Sequence, residues 1–247
     1  RITASGRQAA AMGLHPRLGR MVTKAKERGW LATAAVIAAI LEEGDPLGGD
    51  DPDFRDRLSA WGAWASGARN DLRQDAGRRI AREVQRIMRI AGSGEQIVRG
   101  ADVDPSLAGR LLIHAYPDRA AQRVGAGGMS TAARLVLVTG RGARIKGALG
   151  QEEFLVAADL DGGETEARVF LAAPVSRSDI ESGLAGPVAT SLHFSWQGWT
   201  LRIRKEIRVG QLLLNEKRGI APTPDDTRQA VRERLTSEGL DALPWND

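Results

Sequence analysis

The hydrophobic spacing of this 247-residue chain changes period once, near residue 124, and that change constrains its fold more than any other feature. Before it, apolar residues recur every three to four positions; after it, they alternate or run in short blocks between glycine-rich turns. Helices followed by strands, in two contiguous blocks, predict an α+β protein: an N-terminal helical bundle, then a β-barrel and a C-terminal helix.

The helical block can be read segment by segment. After His15-Pro16, the residues Leu18, Met21, Val22 and Ala25 share one helical face, and Gly29 is a C′ stop. Trp30 to Glu43 is apolar almost all round, which places it centrally in a bundle, and Gly44 ends it. Asp51-Pro52 supplies an N-cap and an N1 proline for a helix with Phe54, Leu58, Trp61 and Ala65 on one face. A fourth helix is expected from Asp71 to Ala91, and a fifth from Asp104-Pro105 to Tyr116-Pro117. Helices joined by short loops make a small bundle.

In the second block, a Gly125–Gly128 segment precedes Arg134 to Thr139, a turn at Gly140 to Gly142, and Ala143 to Gly147: strand, turn, strand. Phe154 to Asp159 and Ala167 to Leu171 pair around Asp161-Gly162-Gly163, and Ser176 to Leu184 is a short capped helix. Two further strands join at Gln197-Gly198. In the second of them Leu201, Ile203, Ile207 and Val209 point one way, and Arg202, Arg204, Glu206 and Arg208 the other. Such short strands with one helix inserted suit a small closed barrel of the oligonucleotide-binding (OB) type. Thr223-Pro224 opens a last helix that stops at Gly239, and an apolar tail runs from Leu240 to Trp245.

Several function classes are excluded at once. The chain has no cysteine, which removes disulfide scaffolds, thiolate zinc sites and cysteine nucleophiles. His15, His114 and His193 lie far apart, which argues against a histidine metal cluster. No G-x-x-x-x-G-K-[ST] loop occurs, and the glycine-rich pieces at 125–128 and 140–147 adjoin strands with no following helix, so they read as turns. Asp159 and Asp161 belong to hairpin vocabulary rather than to a matched acid pair. No catalytic residue and no metal site is expected. The longest apolar run, Leu31 to Leu41, falls short of the ~20 residues of a membrane span. The chain opens without Met or a secretory leader, and its start reads as lying inside something longer.

The formal charge is only +4, yet 30 of the 35 basic residues are Arg, the better phosphate fork. Their placement matters more than their sum. Arg78, Arg82, Arg86 and Arg89 form one stripe on the fourth helix, opposite Ile80, Val84, Ile87 and Ala91. That stripe suits a phosphate backbone, and a solvated outer face is the plain alternative. Arg202, Arg204 and Arg208, with Lys205 between them, lie close to Trp196 and Trp199, which offer flat surfaces for base stacking. The alternative there is that both indoles fill the barrel core. Arg141, Arg144 and Lys146, at a hairpin tip, are a third candidate, because loops between barrel strands line nucleic-acid channels.

A set of ordered motifs adds a resemblance. Ile2-Thr-Ala-Ser-Gly-Arg7, Leu14-His-Pro-Arg-Leu18, Ala115-Tyr-Pro-Asp-Arg119, Ala121-Gln-Arg123, Thr139-Gly-Arg-Gly-Ala143, Ala157-Ala-Asp-Leu-Asp161 and Leu243-Pro-Trp245 resemble the C-terminal accessory region of bacterial HrpB-type DExH-box ATP-dependent helicases. The resemblance implies residues 1–14 as the tail of a winged helix, 15–123 as a ratchet-type bundle, 124–216 as an OB-like barrel and 217–247 as a linker helix and tail. It also implies an upstream RecA-like motor that holds ATP and Mg, no cofactor in this stretch, and a cytoplasmic setting. On this reading the chain grips single-stranded RNA or DNA and has no ATPase of its own. The competing expectation is a protein-interaction scaffold docking on the motor or another partner, with little nucleic-acid contact, motivated by Leu240, Leu243 and Trp245, which need cover. An independent enzyme has the least support, for want of convergent catalytic groups.

Overall fold

The computed structural model describes residues 13–92, 97–125, 132–162, 166–184 and 186–239, in two compact units, 1–185 and 186–247. The expectations for residues 1–12, for most of the 125–128 segment, for Gly163 and for the tail 240–247 lie outside the described residues.

The first unit starts with the predicted helices. α1 (Pro16–Glu27) is capped by His15, whose Nδ1 accepts from the Arg17 N–H at 3.3 Å, and it buries Leu18, Met21, Val22 and Ala25. α2 (Leu31–Glu43) buries every residue from Thr33 to Ile40, as its all-round apolar sequence demands. α3 (Phe54–Ala65) is capped by Asp53, which accepts from the Arg55 N–H at 2.9 Å, and not by Asp51. The reason is Pro52, whose carbonyl accepts from Ala172 N–H at 2.8 Å; that bond holds Pro52 against a barrel strand and delays the helix start. α4 (Gln74–Ile90) buries Ile80, Val84 and Ile87. Asp104 caps a 3-10 turn (Pro105–Leu107) that runs into α5 (Ala108–Ala115). Beneath α3, the Arg57 side chain is 2% exposed and is held by Asp45 at 2.8 Å and by the Asp53 carbonyl at 3.1 Å.

Five described strands close a barrel in the order β1-β2-β3-β5-β4: β1 (Ala120–Val124), β2 (Ala132–Leu137), β3 (Gly142–Lys146), β4 (Phe154–Leu160) and β5 (Glu166–Pro174). The contacts are antiparallel except β3 with β5. Alternate residues fill the interior, among them Ala121, Leu135, Leu137, Ala143, Ile145, Leu155, Ala157 and Val169, and Leu149 joins them from a 3-10 turn (Ala148–Gln151). A short helix, α6 (Arg177–Gly183), follows the last strand and is capped by Ser176.

Bundle and barrel meet without a spacer. α5 lies so close to the end of β5 that a Cβ on Gly109 would sit 1.9 Å from the Pro174 carbonyl oxygen. Only Tyr116 to Arg119 separates α5 from β1. In that link Asp118 pairs with Arg17 of α1 through both carboxylate oxygens, and Arg119 donates to the Ala158 carbonyl of β4 at 2.7 Å.

The second unit departs from expectation. The strands around Gln197-Gly198 do not belong to the barrel. They are β6 (Val188–Gln197) and β7 (Thr200–Val209), and with β8 (Leu212–Ile220) they form an antiparallel sheet of their own in the order β6-β7-β8. The barrel therefore closes within 120–174 and does not extend to 216; β1, read as the end of the bundle, supplies the strand that makes this possible. α7 (Pro224–Glu238) has a Thr223–Asp226 capping box and stops at Gly239, as read from the sequence.

Candidate nucleic-acid interface

The basic residues singled out in the sequence fall on three surfaces. On α4, Arg78, Arg82 and Arg89 are exposed and make no ion pair among the described residues, while Arg86 is tied to Glu83 on the same helix. The intended stripe is therefore present, with three of its four guanidiniums open to solvent.

On the barrel, only Arg141 lies at the hairpin turn. Arg144 and Lys146 lie along β3, because this strand starts at Gly142, and both project from the outer face. Strand register then sets side by side what the sequence keeps apart. Arg134 on β2 is the partner of Arg144, and Arg144 is the partner of Arg168 on β5. Three guanidinium side chains thus form one row across three adjacent strands, which are spaced ~4.8 Å apart. Beside the row stands Phe170, an exposed aromatic residue on the same face of β5, with the Arg168 guanidinium 5.2 Å from its ring centre. One carboxylate, Glu166, reaches into the row: it bonds Arg144 through one oxygen and approaches Arg134 at 3.6 Å through the other. Arg134, Arg168 and Phe170 were missed in the sequence. The only signal for them was their outward parity on strands already recognised, and the register that aligns them is not local.

In the second unit, β7 keeps its predicted alternation only in part, since Ile203 and Val209 are buried but so is Glu206, while Ile207 is half-buried; the basic face is partly compensated from within. Glu206, 5% exposed in its side chain, receives Arg208 at 2.7 Å and Arg204 at 3.2 Å, and His193 lies 3.4 Å away. The hydrogen bond from Arg208 comes first among the causes that hold the Glu206 carboxyl below its usual range, and the charges of Arg208, Arg204 and His193 add to it. Glu216 likewise takes Arg218 at 2.6 Å and approaches Arg204 at 3.7 Å. Arg202 donates to Gln197 at 3.2 Å, and Lys205 sits on the opposite face, in register with Leu192 and Lys217.

The tryptophans are outside the barrel and do not fill its core. Trp196 is on β6, Trp199 is in the β6–β7 turn and is 61% exposed, and the Arg234 guanidinium of α7 lies over both rings, at 5.2 and 5.3 Å. One face of each indole is thus already engaged by a cation of the same unit.

The lone histidines have ordinary structural surroundings. His114 is buried, with Nε2 at 3.1 Å from Arg28 Nη1. Burial, then the charges of Arg28, Arg20 and Lys24, push its pKa down against a small opposing effect of Asp179. Among the described residues no group of three His, Asp or Glu could hold a metal ion, and no helix is long and apolar enough to cross a membrane.

Comparison with known proteins was made along the whole chain. No protein-family model matches it. The ATP-dependent RNA helicase HrpB of Escherichia coli K12 is 32% identical over 254 residues, a match that covers 99% of this chain and 28% of that protein. Two solved structures, the E. coli DExH-box NTPase HrpB and the E. coli DEAH/RHA helicase HrpB, superpose with TM-scores of 0.65 and 0.64 at 30% and 29% identity, again over 100% of this chain and 28% of theirs. Over its full length the chain is thus similar, in sequence and in fold, to a stretch that makes up 28% of these HrpB proteins.

Proposed function

We propose that this chain is the nucleic-acid-gripping accessory region of an ATP-dependent, HrpB-like helicase, holding single-stranded RNA or DNA while RecA-like motor domains, with ATP and Mg, do the work of hydrolysis. The observation that carries this reading is the barrel row Arg134–Arg144–Arg168 with Phe170 beside it. Guanidiniums in register neutralise successive phosphates, and an exposed ring gives a base something to stack on. A small closed barrel of five strands supports reading it as OB-like, and in that type the second and third strands are the usual oligonucleotide face. The open arginines of α4 are a second phosphate contact in the ratchet-type bundle, and Lys146 and Arg141 extend the barrel surface at either end of β3.

Fluorescence anisotropy with labelled oligo(U) and oligo(dT) tests the reading. Removing Arg134, Arg144 and Arg168 together lowers affinity and flattens the salt dependence by about 2 in log–log slope, at ~0.7 per phosphate contact. The triple variant of Arg202, Arg204 and Arg208 has a smaller effect, because the enclosed Glu206 already engages two of the three guanidiniums and offsets one of their charges. A salt titration in which the barrel variant overlays the parent defeats the assignment.

A second reading, docking on the motor domains, draws on β6: this edge strand exposes Val188 (52%) and Leu192 (40%) on one face. Crosslinks to motor domains confined to β6, with none to nucleic acid on the barrel row, favour it.

A further inference from the structure

The barrel row contains its own anion. Glu166 stands at the start of β5, in register with Gly142, and its carboxylate lies between two guanidiniums on neighbouring strands: one oxygen bonds Arg144 Nε and the other is 3.6 Å from Arg134 Nε. A carboxylate and a phosphodiester present the same thing to an arginine, two oxygens sharing one negative charge at the reach of a planar fork. Arginines that converge on a single carboxylate have therefore already been brought to the spacing that an oxyanion needs.

The surroundings favour exchange over permanence. The Arg134 and Arg144 side chains are 70% and 55% exposed and Glu166 is 26% exposed, so water reaches the whole cluster. Ion pairs this open contribute only about 0–1 kcal/mol, so releasing the carboxylate costs little. Beyond it on the same face lie Lys146 and Arg168; Asp161, whose carboxylate accepts the Arg168 N–H at 2.8 Å, is the nearby described acid on the same hairpin. Glu206, by contrast, is enclosed by Arg204 and Arg208 with 5% of its side chain exposed, and it stays where it is.

We propose that Glu166 is an internal placeholder for a backbone phosphate: a single strand that reaches the barrel row displaces its carboxylate from Arg134 and Arg144 and binds in its position. This rests on the gripping function proposed above and assigns that site its affinity-limiting residue. Bound strand and docked Glu166 exclude one another, so the carboxylate sets how readily the row lets go of a strand, as a moving grip requires.

The test is equilibrium binding of the 247-residue chain to fluorescein-labelled oligo(U) and oligo(dT) of about 15 nucleotides, near the upper site size of one OB fold, across a salt series. Glu166→Gln keeps shape and removes charge. It is expected to tighten binding about fivefold near 0.1 M salt and to steepen the salt slope by about 0.7, the value of one additional phosphate contact. Glu166→Ala, which adds no new hydrogen-bond donor, moves in the same direction, and the gain disappears when Arg134 and Arg144 are also replaced by Ala. Circular dichroism confirms that each variant is folded. Binding by both Glu166 variants equal to or weaker than the parent's, with Arg144→Ala still weakening it, overturns the placeholder and leaves the grip standing. If Arg134, Arg144 and Arg168 variants all bind as the parent does, the grip on this face fails, and the placeholder with it.

Discussion

Gly109 should tolerate no side chain, and the structure says by how much. A Cβ added there would lie 1.9 Å from the Pro174 carbonyl oxygen, 2.7 Å from its carbon and 3.2 Å from Val175 Cα. All three atoms are backbone, and neither partner can yield alone. Pro174 is in register with Leu155 in the barrel wall, and the next N–H, of Val175, donates to the Phe154 carbonyl at 3.1 Å. α5, on its other side, buries Leu111, Leu112 and Ile113. Reaching ordinary van der Waals distance thus means shifting a packed helix by more than 1 Å from the barrel, a distortion of the overpacking kind that costs ~1–3 kcal/mol or more. Helix propensity works in the opposite direction only weakly, because the ~1 kcal/mol advantage of Ala over Gly belongs to a helix interior and Gly109 is the second residue of α5. The net expectation for Gly109→Ala is a loss of about 1–2 kcal/mol, or roughly 2–8 °C in melting temperature for a chain of this size. Urea and thermal unfolding followed by circular dichroism measure it. A variant as stable as the parent, or more stable, means that α5 does not approach β5 as closely as described and that the junction between helices and barrel is looser than argued.

Other consequences can be checked in the same way. Arg57→Ala removes a buried guanidinium and its charged hydrogen bonds but leaves Asp45, 26% exposed, open to water, and should cost about 2 kcal/mol in urea unfolding. Burial raises the Asp45 carboxyl pKa, but hydrogen bonds from Arg57 and the Leu47 N–H outweigh it and the net shift is down, so this pair stabilises above the unfolded value near ~3.9 and is lost as the pH falls through the folded value; Asp45→Asn should flatten the acid limb of the stability profile. His114 has the same sign from a different cause. Burial holds it neutral in the fold, so stability is full above ~6.5 and declines as the pH drops toward its lowered folded pKa. His114→Gln should remove that dependence, and unfolding titrations between about pH 7 and 5, from just above the ordinary histidine value of ~6.5 downward, show whether it does.

Much of the fold was legible because its signals are local. The buried run Thr33–Ile40 of α2, the Asp104 cap, the Ser176 cap and the Thr223–Asp226 box each lie within a few residues of what they determine. The failures share a cause. β1 is short and begins Ala120-Ala121, with Val124 at its end as the one β-branched residue and no alternation, and it becomes a strand only because β2 and β4 flank it. Assigning β6 and β7 to the barrel failed for the same reason: each has a correct strand pattern, but sheet membership is decided by partners far along the chain. For the candidate interface, periodicity on α4 found exposed arginines, whereas on β7 it found arginines of which two, Arg204 and Arg208, are engaged by Glu206, one of the four polar residues of the same alternation. Arg134 and Arg168 carried no pattern of their own until register placed them on either side of Arg144.

The strand that seals the barrel is the direct continuation of the helices. β1 leaves α5 after only Tyr116 to Arg119, and that link is fastened to α1 by Asp118 and to β4 by Arg119. Helices and barrel are therefore not beads on a string, each free to swivel. A displacement of the helices has no slack to take up and is delivered as shear along the hydrogen bonds that β1 shares with β2 and β4. In mechanical terms the first unit is a single lever, with its handle made of helices and its jaw made of strands.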